Sequence, residues 1–549
     1  MYSQTRLSVM LSWTRVTANE IAFKILAFAR QGGLVSTQLF NTNTERGIRL
    51  RDILPDAKIV GADDVLFQSC CGLWKDCQTD DLFVAIMDSE QDGHDFTQEA
   101  IARGASAVVT ERLLTTHRPQ CLVNDSREAY GKICQALAGN PSQRLNSIGV
   151  TGTDGKTVTC HLVSGILKAA GQTTGLISSI EVNQGNNQTS VPATDLNSPW
   201  LAEQLTSMAL ANCENAVIEV SSIALARRCL AGVEFDVAIL TNIRENHLDF
   251  HGSEANYQRA KLRLLDKLKP SGLAIVNLDD PKSHFLLKQI DRPVLTIGIK
   301  QEADITAKPI NCSASEQTFI ITAGSDSIPV RTTTIGDQHI YNCLAATAVG
   351  LAQGIEIETI AKGLESVGQI PGRLERIECG QDFGVWIDSA RSSGQLAHAI
   401  RSIRQNTNGK IWCLCSINEK HSPRERQRLG EIAERAADQV IITNTAGGPL
   451  VDYEPAHQIL DGFENPGKAQ LIPNRFKAIE WALTHAKPND AVLIAGCGER
   501  PFALIGEENW TITDRDVCQA WLYDNAVFSE PNQLDDDQPN IFDIDDYRT

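Results

Sequence analysis

Gly152, Thr153 and Gly155 precede Lys156 and Thr157 in the run SIGVTGTDGKTVTCHLVSGILKAAG. Glycines let a backbone approach an anion, an ammonium supplies a point charge, and a threonine hydroxyl is a hard oxygen suited to magnesium. Together these residue types can hold a nucleotide's phosphates, and ATP is the guest they suit. The loop does not satisfy G-x-x-x-x-G-K-T in full, because Val150 stands five positions before Gly155. A strand-to-helix turn with incidental glycines is the alternative, and G-K-T at a helix start weighs against it.

Three apolar runs downstream close on polar residues. NAVIEVSS ends with Glu219, Ser221 and Ser222, FDVAILTN with Thr241 and Asn242, and LAIVNLDD with Asn277, Asp279 and Asp280. In a doubly wound sheet, ligands bind beyond the carboxyl ends of the strands. Glu219 is thereby placed to share a magnesium ion with Thr157; a carboxylate capping a neighbouring helix is the competing reading. From Glu254 onward a helix would set Tyr257, Ala260, Lys261, Leu264, Leu265 and Leu268 on one stripe. Lys261 then lies inside an apolar face, where it either snorkels to water or has lost or inverted its charge. His247 and His251 flank Asp249 just upstream, bringing imidazole and oxygen donors near Lys261. If its amine has reacted with carbon dioxide, the carbamate is an anionic oxygen ligand able to hold a second magnesium with His247.

The elements that must position these groups form an α/β pattern, with short Val- and Ile-rich runs alternating with longer amphipathic stretches. Strands are predicted at 107–110, 147–150, 216–220, 237–240, 273–276, 385–387, 411–414, 440–442 and 492–495. Breaks fall at Gly139-Asn140-Pro141 and Pro371-Gly372-Arg373. The chain of 549 residues is long enough for three to four domains at roughly 150 residues each. No run approaches the ~20 apolar residues needed to span a bilayer, so no membrane association is expected. Fifty lysines and arginines against 68 aspartates and glutamates give a net charge of −18, which disfavours nucleic acid as a partner. From Asp524 to Thr549 eight acids face one base, and such a tail cannot bury enough apolar surface to order itself. Fifteen cysteines without a C-x-x-C pair read as reduced thiols of a cytoplasmic protein.

The chain resembles the Mur ligases of peptidoglycan synthesis, in particular the members that add the third residue to UDP-N-acetylmuramoyl-L-alanyl-D-glutamate. The motifs carrying the resemblance are DDLFVAI and QDGHDFTQEAIARGASAVV, then GVTGTDGKT, EVSSIAL, FDVAILTNI and HLDFHGSEANYQRAK, then NCLAA and PGRLERI, all in family order. The implied architecture is a three-domain α/β fold with a central P-loop-type, mostly parallel sheet and a Rossmann-like C-terminal domain. The divisions expected are an N-terminal extension (1–46), a UDP-sugar-binding domain (47–143), a central ATP-binding domain (144–371), an amino-acid-binding domain (372–523) and an acidic tail (524–549). The resemblance implies that Gly152, Thr153, Gly155, Lys156 and Thr157 hold ATP, with Asn342, Arg373 and Asp388 completing the nucleotide site. Thr157 and Glu219 would bind one magnesium, and His247 with carbamylated Lys261 a second. Lys156, Lys261 and His247 are the implied catalytic residues. Asp92, His94, Thr194, Asp195 and Ser221 would contact the UDP-muramoyl-dipeptide. The implied reaction is phosphoryl transfer from ATP to a substrate carboxylate, then attack of a free amino acid's amine on the acyl phosphate, in a cytoplasmic monomer.

Departures from the family pattern cluster late. Ile223 replaces the histidine of S-S-H-A-L, and D-Y-A-H becomes Asp388-Ser389-Ala390-Arg391. Ser416-Ile417-Asn418-Glu419-Lys420 stands for G-G-D-R-D, and Gly496-Cys497-Gly498-Glu499-Arg500 for G-K-G-H-E. The diaminopimelate-selecting D-N-P-R gives way to the stretch Asn444 to Pro449, so the arginine fork for a second carboxylate is missing from its usual place. Arg424, Arg426, Arg475 and Arg500 are the candidate replacements. Two other readings are a folylpolyglutamate-synthase-like ligase, against which the upstream DGHDF module argues, and a catalytically impaired Mur-like binding protein, which the late departures favour.

Overall fold

The computed structural model describes residues 47–88, 91–185, 188–189, 196–244, 248–418, 421–445, 452–503 and 511–525. Its centre is an eleven-stranded sheet. The parallel run, in spatial order, is Thr174–Ile177, Asn215–Glu219, Asn146–Thr151, Phe235–Leu240, Leu268–Asn277 and Val294–Gly298. Strands buried on both faces must be apolar at successive positions, and these are. Val217 packs into the core on one face while Ala216 and Ile218 pack into the core on the other. The helices Lys156–Ala169 and Asp337–Ala352 contribute to the first of those cores, and Ser198–Leu210 to the second.

Beyond Val294–Gly298 the sheet continues through Ile305–Cys312 and then antiparallel through Gln317–Ala323 and Asp326–Thr332, an extension the predicted strands omit. The middle of Ile305–Cys312 is exposed, so it lacks the apolar density that marks a buried strand. The helix predicted from Glu254 spans Glu254–Leu262 and gives way to a 3₁₀ turn at Leu265–Lys267. Leu264 and Leu268 remain buried although they are past the helix.

Ahead of the central sheet lies a five-stranded sheet in the order Lys58–Val60, Gln120–Leu122, Ala107–Thr110, Leu82–Val84, Cys70–Cys71. The helix Ser126–Leu137 closes this unit, and the turn after it carries left-handed Asn140 at φ 50° before Asn146–Thr151 begins. An ion pair of 3.1 Å between Arg228 and Asp125 ties it to the central unit. After Gly372 comes a six-stranded sheet, Glu375–Ile377, Gly384–Asp388, Ala491–Ala495, Ile411–Ser416, Gln439–Thr443 and Ala469–Leu471, parallel except for its first strand. The α/β class and the mostly parallel sheets are those the sequence predicts. Among the described residues no helix is long and apolar enough to cross a membrane.

Candidate active site

The strand Asn146–Thr151 ends in the glycine loop, and Lys156–Ala169 begins directly after it. Gly155 is the N-cap, at φ +83° and without a side-chain cap, so backbone donors at the helix start are left for an anion. A Cβ on Gly155 would sit 2.2 Å from Asn342 Oδ1, so only glycine fits. Thr241 Oγ1 donates to the Asp154 carbonyl at 2.7 Å, while Asp154 N donates to Asn242 Oδ1 at 2.9 Å. The polar end of the neighbouring strand thereby holds the loop open. Lys156 Nζ curls back onto the carbonyls of Gly152 and Thr153 at 3.1 and 3.0 Å.

Hard oxygens gather at the foot of the helix. Thr157 Oγ1 donates to Glu219 Oε2 at 3.0 Å and lies 2.9 Å from Ser179 Oγ; Ser179 N donates to the same Glu219 oxygen at 2.8 Å. This donor set suits magnesium. Ser179 follows the end of Thr174–Ile177, a strand that the predicted strands omit, so sequence pattern does not single it out.

Lys261 is 1% exposed, so it does not snorkel. Its Nζ donates to the Gly152 carbonyl at 2.6 Å and sits 4.7 Å from the centre of the Tyr257 ring. Burial, reinforced by the charge of Lys156 and opposed by Asp154, drives its pKa well below the usual lysine value. Tyr257 is anchored in turn, with its hydroxyl 2.9 Å from Thr153 Oγ1. His251, also buried, places Nε2 3.1 Å from Ser222 Oγ, and burial followed by Lys261 lowers its pKa. His247, Thr194 and Asp195 lie outside the described residues.

The third unit closes the cavity. A space of about 240 Å³ is lined by the glycine loop, Glu219, His339 and Asn342 from the central unit and by Arg373, Asp388, Gln395 and His398 from the third. Arg373 Nη2 donates to Ser179 Oγ at 3.1 Å, and Gln395 Nε2 donates to Asp154 Oδ1 at 2.8 Å. Asp388 accepts from Leu374 N and Ala390 N, both at 2.7 Å; burial pushes its carboxyl up to about 6 against the pull of Arg373. Asn342 Oδ1 and both ring nitrogens of His339 are buried without a hydrogen-bond partner among the described residues. Burial holds His339 at about 4, hence neutral at physiological pH. Orphaned donors and acceptors in this wall, with a cradle that only glycine leaves open, fit a nucleotide. His339 was readable as a polar residue three before Asn342 on an apolar helix.

Several sequence-derived candidates have polar atoms already engaged within the protein. Ser221 is the N-cap of Ser222–Ala226 and accepts from Ala224 N at 3.0 Å. Asp279 accepts from Ile299 N, Lys300 N, Gln301 N and Tyr341 OH, and Asp280 caps Pro281–Leu286; neither lines the nucleotide cavity. His94 Nδ1 is 2.6 Å from Asp92 Oδ1, and its Nε2 accepts from Glu111 N at 3.0 Å, so both ring nitrogens are engaged within the first unit. Desolvation raises Asp92, but the His94 amide and ring and Arg112 outweigh it and hold the carboxyl at about 2. Arg475, expected as a possible carboxylate clamp, is fully buried against Asp514 at 2.6 Å and Ser416 Oγ at 2.7 Å. It is a lock within the third sheet. Arg426 is also buried and donates to the Asn418 carbonyl and to Gln458. Glu419, Lys420 and the stretch 446–451 lie outside the described residues.

A triphosphate loop in one unit that meets cationic and carboxylate side chains of another defines an enzyme that works on a nucleotide at a domain junction. Residues 150–350 match the Mur ligase middle domain and residues 372–498 the Mur ligase, glutamate ligase domain. A diaminopimelate ligase acting on UDP-N-acetylmuramoyl-L-alanyl-D-glutamate, from Geobacillus kaustophilus, is 35% identical over 80% of this chain and 91% of its own. A UDP-N-acetylmuramyl-tripeptide synthetase from a Roseiflexus species is 34% identical over 77% of this chain and 88% of its own. A solved structure of a UDP-N-acetylmuramoyl-L-alanyl-D-glutamate–2,6-diaminopimelate ligase superposes with a TM-score of 0.62 at 23% identity, over 87% of this chain and 99% of that one. The chain belongs to the Mur ligase family and is an ATP-dependent acid–amino-acid ligase.

Proposed function

We propose that the protein joins an amino acid to UDP-N-acetylmuramoyl-L-alanyl-D-glutamate in the cytoplasm, as a monomer. The observation that carries this reading is the cavity in which Lys156, Thr157 and Glu219 meet Arg373 and Asp388 across a domain junction. Thr157 and Glu219 would hold a magnesium ion, which would supply charge neutralisation at the phosphates. Lys156, now folded onto its own loop carbonyls, swings out to the terminal phosphate. Arg373 balances negative charge from the side of the third unit, and Asp388 with Asn342 and His339 orients the nucleoside. The first unit, 47–143, binds the UDP-sugar end, with Asp92 and His94 shaping its wall. Thr194, Asp195 and Ser221 contact the peptide arm, and residues 372–523 receive the incoming amino acid. The relatives' names make diaminopimelate the first amino acid to test.

Lys261 carries a carbamate in the working enzyme. Burial and the charge of Lys156 lower the amine's affinity for a proton, and the neutral amine is the form that adds to carbon dioxide, releasing one proton and leaving an oxygen anion. That anion and His247 would hold a second magnesium.

The test offers the purified protein ATP, magnesium and UDP-N-acetylmuramoyl-L-alanyl-D-glutamate with a panel of amino acids. Phosphate release with only one or two of them is expected. Tight nucleotide binding with no phosphate for any amino acid would identify a binding protein and contradict the ligase reading.

A further inference from the structure

The first unit carries a cluster that the ligase reaction does not use. Cys71, Cys77 and Asp81 are all buried, and Cys71 Sγ, Cys77 Sγ and a carboxylate oxygen of Asp81 lie within 4.8 Å of one another. They arrive from three places. Cys71 ends the strand Cys70–Cys71, Cys77 caps the 3₁₀ turn Trp74–Asp76, and Asp81 immediately precedes the adjacent parallel strand Leu82–Val84. Asp81 accepts from Gln78 N at 2.8 Å and from the Ser69 hydroxyl. Among the described residues no lysine, arginine or histidine forms an ion pair with it. A carboxylate withdrawn from water without a cationic partner is costly, and two thiols beside it offer no compensation as thiols.

We propose that Cys71, Cys77 and Asp81 bind a structural divalent transition metal of the zinc class. Tetrahedral zinc with Zn–S bonds near 2.3 Å needs sulfurs about 3.8 Å apart, within the present spread of donor atoms. Binding converts both thiols to thiolates and releases two protons to solvent; no electron moves. The Ser69 hydroxyl or a water completes the four ligands. Two thiolates, one carboxylate and a 2+ ion leave one negative charge, and Arg103, whose Nε donates to the Cys77 carbonyl at 3.3 Å, stands beside the cluster to balance it. The metal would clip residues 72–80 to two strands of the sheet. Trp74 in that loop stacks on Phe96, with ring centres 5.8 Å apart, so the clip also braces the turn that carries His94. Cytoplasmic thiols that cluster without a disulfide are suited to this chemistry.

Full-length protein, reduced and stripped with a chelator, is titrated with cobalt(II). One equivalent should give thiolate-to-cobalt charge transfer with tetrahedral ligand-field bands, bleached by zinc. Zinc should release two protons per metal in weak buffer. Cobalt at the magnesium oxygens gives no thiolate band, so the two sites are distinguished. Cys71→Ser and Cys77→Ser should each abolish the signal, Asp81→Asn should weaken binding, and Cys413→Ser should leave it intact although its sulfur lies 3.6 Å from Cys415 Sγ. Absence of the charge-transfer band in the folded wild-type protein would overturn the proposal. So would its survival in the Cys71→Ser/Cys77→Ser double variant, or a wild-type mass two daltons light with no metal taken up, which marks a disulfide.

Discussion

Arg373 Nη1 donates to Glu499 Oε2 at 2.7 Å, and the two side chains are only 17% and 19% exposed. The other edge of the same guanidinium reaches Ser179 and Thr157, so one planar group joins the third unit's Gly496–Arg500 segment to the foot of the phosphate loop. Family resemblance points to Arg373; Glu499, which fixes it, falls in the stretch where G-K-G-H-E is expected. An ammonium cannot span both partners in a fork. Arg373→Lys should therefore raise KM for ATP by about tenfold, the equivalent of one charge-assisted hydrogen bond lost. Steady-state kinetics at saturating second substrates checks it, and an unchanged KM would mean that the fork plays no part in nucleotide binding.

Glu219 is bonded to both Thr157 Oγ1 and Ser179 N. Glu219→Gln keeps the shape and removes the anion. The variant should need about tenfold or more magnesium for half-maximal rate, judged by the loss expected when a metal's supporting carboxylate is neutralised. A magnesium titration identical to the wild type would remove Glu219 from the metal site.

With the proposed carbamate on Lys261, replacing this residue by alanine should lower kcat by about 100-fold or more, because the anion that would position charge at the phosphates is lost. A short carboxylic acid added to this variant should restore part of the rate by occupying the vacated space. Activity near wild type in the unrescued variant would leave the carbamate without a role.

Asp388 offers a pH test. An unfolded aspartate titrates near 3.9, whereas the folded group titrates at about 6 because it is buried. Between those values the folded chain keeps a proton that the unfolded chain has released. The group's contribution to stability is therefore full below about 4, falls as pH rises through 6, and stays low above. Denaturation of wild type and Asp388→Asn at pH 4 and pH 8 should show the variant gaining relative stability at the higher pH. An equal difference at both would place the titration elsewhere.

Arg475 and Asp514 form a pair with no exposed surface. Arg475→Met leaves Asp514 as an unpaired buried charge, so the third unit should lose about 3–5 kcal/mol in denaturant unfolding. A small loss would mean that water reaches Asp514.

How far the site could be read from sequence follows chain distance. The loop Gly152–Thr157, Glu219 and the buried Lys261 were legible because each stands at the end of a Val- or Ile-rich strand or on a helical stripe, patterns that span a few residues. The two contacts that bring the units together, Gln395 to Asp154 and Arg373 to Ser179, join residues 241 and 194 positions apart, and no local period encodes them. Asp279 was left without a role by the sequence because a carboxylate at a strand end suits a ligand or backbone amides equally well; it accepts from Ile299, Lys300 and Gln301. Arg475 misled for a related reason, since an arginine at a helix start looks the same whether it faces a substrate or a buried aspartate.

The acyl-phosphate step can be followed through its oxygen. UDP-N-acetylmuramoyl-L-alanyl-D-glutamate bearing oxygen-18 in its glutamyl carboxylates, incubated with ATP, magnesium and the accepted amino acid, should yield one labelled oxygen in inorganic phosphate for each amide formed. Amide accompanied by unlabelled phosphate, or phosphate released without amide, would contradict capture of the nucleotide's terminal phosphate by the substrate's carboxylate.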